Sequence, residues 1–175
     1  MAFLCKSGLD YERALFVPEA GNWSDLRAEL NLTGQQVAFA NQWCHGATGI
    51  GFSRLGMLDV FDTPENRQEI AAAVLLTLSQ VLPPVDHLCC GSAGQISFLF
   101  EAARRLDRPD WKQAARQRLA ALRDRAGQTC SYTLYPKLPP TVINPGFMQG
   151  YAGIGYEWHR LANPGLNLPN CLLFD

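Results

Sequence analysis

The chain has 175 residues, 47% of them hydrophobic and 18% charged, with a formal net charge of -1. That balance describes one globular domain with a sizeable core and excludes a disordered chain. Without a basic excess there is no electrostatic footprint for a phosphate backbone, so no nucleic-acid partner is expected.

The opening Met1-Ala2-Phe3-Leu4-Cys5-Lys6 lacks the basic and long apolar regions of an export signal, and no later apolar run reaches membrane-spanning length. A cytoplasmic location is therefore expected. In that reducing compartment the six cysteines read as thiols or metal ligands, not disulfides. A leading helix is followed by a loop over Phe16–Asn22. Ile50 to Val60 is apolar nearly all round, which reads as a helix buried on both sides. Thr63-Pro64-Glu65 supplies a cap, a first-turn proline and an acidic residue for the next helix. Its apolar positions Ile70, Val74, Leu78 and Ala71, Leu75, Leu82 follow helical spacing until Pro83-Pro84. Ile96 to Leu106 is a second all-round apolar segment. From Asp107-Arg108-Pro109 an amphipathic helix presents Trp111, Ala115, Leu119 and Leu122, with Arg116, Arg118, Arg123 and Arg125 on a solvated face, and Gly127 closes it. Thr129 to Gly146 holds four of the eleven prolines and reads as a long loop. No strand alternation is visible.

A repeat organises these segments. Cys44-His45-Gly46-Ala47-Thr48-Gly49-Ile50, Cys89-Cys90-Gly91-Ser92-Ala93-Gly94 and Met148-Gln149-Gly150-Tyr151-Ala152-Gly153-Ile154 each contain G-x-x-G and lead into an apolar helix. Their first glycines are 45 and 59 residues apart. The expected fold is all-α: stacked α-hairpins with inner and outer layers and every G-x-x-G loop at one end. Within residues 1–175 the expected parts are leading helices (1–43), metal-bearing hairpins (44–127), a loop (128–146) and a closing hairpin (147–175).

Cys44, Cys89 and Cys90 precede the first glycine in two of the repeats, so the repeat brings them to the same end. Three soft thiolates suit zinc, and three protein ligands leave the open position of a catalytic site. His45, beside one of them, is the acid/base candidate. His87 is a candidate fourth ligand or a group that polarises a thiolate. His159 reads as a surface or packing residue, and Cys5, Cys130 and Cys171 fall outside the repeat. Asp59, Asp62, Asp86 and Glu101 show no pairing of the kind used in sugar hydrolysis.

These residues resemble a known family. Trp43-Cys44-His45-Gly46-Ala47-Thr48-Gly49-Ile50 is similar to the W-C-H-G-A-P-G-I segment of class II lanthipeptide synthetases, with Thr48 in the place of proline. His87-Leu88-Cys89-Cys90-Gly91 resembles their D-H-L-C-C-G segment, and Pro145 to Tyr156 resembles P-G-F-x-Q-G-x-A-G-I-G-Y. The resemblance implies the C-terminal part of a LanC-like cyclase domain, an α/α toroid. It implies Zn2+ on Cys44, Cys89 and Cys90, and a lanthipeptide precursor peptide as substrate. A peptide cysteine would add to a dehydroalanine or dehydrobutyrine of the same peptide and close a thioether ring. The family's earlier H-G motif has no counterpart here, which implies another chain or copy to complete the toroid. The alternatives are a peptide-binding remnant that holds zinc without catalysing addition, and an unrelated α/α-toroid hydrolase.

Overall fold

The computed structural model describes residues 2–26, 38–139 and 141–174. The expected leading part therefore falls partly outside the described residues, as does the side chain of Cys5. Helix α1 (Ala2–Arg13) is followed by three short strands, β1 (Phe16–Val17), β2 (Asn22–Asp25) and β3 (Ala38–Phe39). They form one antiparallel sheet in the order β1-β2-β3, with Phe16 opposite Trp23 and Asp25 opposite Ala38. The sequence shows only a loop at 16–22 and no strand alternation. Strands of two to four residues are too short for alternation to register.

The remaining helices are α2 (Ala47–Met57), α3 (Pro64–Ser79), α4 (Ser92–Arg105), α5 (Pro109–Thr129) and α6 (Tyr151–Ala162). α3 begins as its sequence demands: the Thr63 side chain accepts the Asn66 N–H at 3.3 Å and Pro64 follows. It stops at Ser79, ahead of the proline pair. α2 stops at Met57, so Val60 sits in a turn and is 77% exposed. α5 runs two residues past Gly127, where an exposed glycine meets nothing and costs only helix propensity.

α2 packs on both α3 and α4, α5 backs α4, and α6 lies along α4. The hairpins therefore make two layers, with α2, α4 and α6 inside and α3 and α5 outside. Phe52 of α2 and Phe98 of α4 meet at 5.4 Å between ring centroids in the core, with Leu55, Ile70, Val74, Leu99 and Trp111 around them. α4 is buried from Ser92 to Leu99, so its polar side chains need partners. Gln95 donates to the Asn41 carbonyl at 2.7 Å, and Ser97 accepts from Arg160 at 3.3 Å.

The basic face of α5 divides in two. Arg116 and Arg123 are exposed. Arg118 instead donates to the carbonyls of Leu78 and Gln80, and Arg125 pairs with the buried Asp86 and donates to Pro83 O and Ser92 Oγ. These two arginines cap the end of α3 and the loop before α4, which corrects their reading as solvated.

Thr48, where the family pattern has proline, is fully buried. Its N–H and hydroxyl both donate to Asn41 Oδ1, at 3.1 and 2.6 Å. Proline would remove both donors. Thr48→Pro is expected to cost roughly 1–2 kcal/mol, lowering Tm by about 2–8 °C in a domain of this size, as read by calorimetry.

Candidate metal centre

The three G-x-x-G segments occupy one end of the helical layers and are built alike. Gly46, Gly91 and Gly150 are the residues from which α2, α4 and α6 start. The second glycine of each lies against a carbonyl six residues earlier: Gly49 on Trp43 O, Gly94 on Leu88 O, Gly153 on Phe147 O. A Cβ at any of the three would sit well under 3.0 Å from that oxygen. The repeat is thus a tight turn that folds the chain back onto the start of its own helix. In the third segment Gly153 makes this approach, whereas Gly155, just beyond it, is exposed with nothing near it.

Backbone hydrogen bonds tie the three turns together. Trp43 N and Cys44 N both donate to Cys89 O, at 3.0 and 3.4 Å, and Cys89 N donates to Met148 O at 2.9 Å. Cys89 is the hub. The first turn is closed by reciprocal bonds between Gln42 and His45 (3.0 and 3.3 Å), which places Cys44 at its apex. The Trp43 indole donates to Leu172 O at 3.0 Å and anchors that turn to the C-terminal segment.

This arrangement gathers the three predicted cysteines. Cys44 Sγ lies 3.3 Å from Cys90 Sγ, and Cys90 Sγ lies 3.4 Å from Cys89 Sγ. All three sulfurs fall within 4.8 Å of one another. Thiolates about 2.3 Å from one tetrahedral ion are spaced about 3.8 Å apart, so three sulfurs this close are within reach of a single ion. Cys44 is exposed, Cys90 half-buried and Cys89 buried, leaving one side of the cluster open. Burial pushes the Cys89 and Cys90 thiols up, and the neighbouring sulfurs add to the effect at Cys90. Without a cation the Cys89 and Cys90 thiols keep their protons, and a divalent ion beside them would favour their ionised forms. The residues fit a soft metal. Cys130 and Cys171 take no part in the cluster.

The histidines take three different roles. His87 is not among the grouped ligands: its Nδ1 accepts the Cys90 backbone N–H at 3.2 Å. The ring is buried, and burial lowers its pKa against the opposing pull of Asp86. A neutral ring with an unprotonated Nδ1 suits that bond. His87 therefore braces the backbone of Cys90 and lies outside the three-sulfur group. Asp86, which accepts from Thr133 N at 2.7 Å and from Arg125, holds the segment from the other side. His159 is exposed and bonds Asn163 within its own helix end. His45 is one-third exposed, and its Nε2 lies 2.7 Å from Oδ1 of buried Asp25 on β2. Asp25 was missed by sequence reasoning, since nothing in the spacing links it to a residue twenty positions on.

Cys44 and His45 open onto one groove of about 330 Å³, walled by Tyr11, Trp23, Trp43 and Ile50. The carboxylates considered for sugar hydrolysis are each engaged by arginine: Asp59 by Arg105, Asp62 by Arg67, Asp86 by Arg125, and Glu101 by Arg104 and Arg105. None is left as an isolated acid.

The fold and site define a class: a helical-hairpin protein whose G-x-x-G turns carry a three-thiol centre able to hold a metal ion. The chain belongs to the lanthionine synthetase C-like family, whose profile, described as lanthionine synthetase C-like protein, matches residues 4–173. A comparison with curated proteins gave no match. Among the described residues no helix is long and apolar enough to cross a membrane.

Proposed function

We propose that this chain is the zinc-bearing, C-terminal part of the cyclase domain of a class II lanthipeptide synthetase, acting in the cytoplasm on a precursor peptide. Its parts are the leading segment 1–43, the zinc-bearing hairpins 44–127, the loop 128–146 and the closing hairpin 147–175. The observation that carries the reading is the meeting of Cys44, Cys89 and Cys90 at one open-sided cluster, within 4.8 Å of one another. The motifs at 43–50, 87–91 and 145–156 supply the class.

Cys44, Cys89 and Cys90 would hold the zinc, which when bound supplies the positive charge that makes a peptide thiol nucleophilic at neutral pH. The chain's own residues do the rest. The groove at Cys44 and His45 seats the peptide and limits access of water. In the addition, a sulfur–carbon bond forms at the β-carbon of the dehydro residue while its C=C π bond breaks. The electron pair moves to the α-carbon, where His45 delivers a proton; the thiol proton balances it, and no atom is lost.

The test is ring closure on a pre-dehydrated peptide bearing one cysteine, with zinc supplied. An alkylatable thiol should disappear without change in peptide mass, and Cys89→Ala should abolish this. Zinc-loaded chain that binds the peptide and leaves its thiol intact would instead assign a binding module.

A further inference from the structure

We infer that Asp25 is a positioning residue: it fixes the His45 ring so that Nδ1, not Nε2, is the nitrogen that transfers the proton. This rests on the reading of His45 as the proton carrier. The geometry comes from two elements that meet at the groove. Asp25 ends β2 and is 2% exposed, with its backbone paired to Ala38 of β3. Its Oδ1 lies 2.7 Å from His45 Nε2. The other end of His45 is held too. Its N–H and C=O close the 42–45 turn, and the next residue, Gly46, has a φ of 95° with Ala40 O where a Cβ would stand. The imidazole is thus fixed at its backbone and at one nitrogen.

A carboxylate accepts and does not donate, so the neutral ring must carry its proton on Nε2. The lone pair is then on Nδ1. The same logic orients histidines whose second nitrogen is held by a carboxylate in metal and hydrolase sites. A structural staple between β2 and the first turn would need only some hydrogen bond here. A positioning role needs this one, with Asp25 as acceptor.

The substitution that separates the two is Asp25→Asn. It keeps size and hydrogen-bonding capacity, but its amide can donate to Nε2 and move the ring proton to Nδ1. Asp25→Ala removes the contact. Long-range proton–nitrogen NMR on the zinc-loaded chain reads the His45 tautomer without reference to activity. The Nε2–H form is expected in the wild type, the Nδ1–H form in Asp25→Asn and a mixture in Asp25→Ala. In the ring-closure assay both variants should lose at least about tenfold in kcat, with KM and bound zinc unchanged. An unaltered tautomer in both variants, or kcat within about twofold of wild type, overturns the proposal. His45→Ala is the control for the underlying reading. If it closes rings at the wild-type rate, His45 is not the proton carrier, whereas the tautomer measurement still decides whether Asp25 holds the ring.

Discussion

Cys89→Ala is expected to reduce bound zinc from about one per chain to near zero after gel filtration, whereas Cys130→Ala and Cys171→Ala leave it unchanged. The difference follows from where the sulfurs sit. Cys89 contributes a buried sulfur to the cluster, while Cys130 and Cys171 lie outside it. The substitution removes a ligand and leaves the scaffold intact, because the hub bonds to Trp43, Cys44 and Met148 use only Cys89 backbone atoms. Two thiols remain at 3.3 Å, too few to retain the ion through dilution. Elemental analysis on the three variants is the measurement. Stoichiometric zinc in Cys89→Ala, with helical content unchanged, would show that the ion is held elsewhere.

The same cluster dictates a pH dependence. The Cys89 and Cys90 thiols are raised by burial, so the metal-free protein is protonated there at neutral pH. Binding must expel those protons. Apparent zinc affinity is therefore expected to climb with pH from about 6 to about 9, each thiol that ionises on binding contributing up to tenfold per unit. Competition with a chromophoric chelator across that range reads it. A flat profile would mean that the thiols are already ionised without metal.

Much of this site was legible because the repeat carries its own geometry. Three G-x-x-G segments with the same surroundings imply three turns with the same backbone, and equal turns on parallel inner helices put equivalent residues side by side. The cysteines could be placed together that way across 45 residues of chain. The helices were legible for a related reason: caps and 3.6-residue spacing are local properties. What was not legible depends on contacts between unlike elements. Asp25 meets His45 only because β2 folds across the first turn, and those strands are too short to show a period. Arg125 looks solvent-facing on α5 until the loop before α4 supplies a buried carboxylate for it. His87 stands two residues before Cys89, so chain proximity points to coordination. In the structure its Nδ1 accepts the Cys90 N–H, a ring orientation that no spacing encodes.

The sharpest test of the repeat itself is a pair of helical glycines, one closing a G-x-x-G segment and one just outside the third. Gly94→Ala is expected to destabilise the chain by about 3 kcal/mol or more and to abolish zinc uptake, whereas Gly155→Ala should stabilise it by roughly 0.5–1 kcal/mol. Both lie inside helices, where alanine is the better residue. Gly155 is exposed and meets nothing within 4 Å, so only the propensity gain remains. At Gly94 a Cβ would be driven into Leu88 O, a backbone atom that cannot rotate away as a side-chain tip would. Relief requires moving Leu88 or sliding α4, and Leu88 is the residue before Cys89. The 88–90 backbone is held on both flanks, by Asp86 with Arg125 and by His87 on the Cys90 N–H, so the strain passes to the sulfur positions. Loss of metal should therefore accompany loss of stability, and denaturant titration with elemental analysis reads both. If Gly94→Ala bound zinc normally at wild-type stability, the close approach would not be what shapes the cluster, and the glycines would serve helix packing alone.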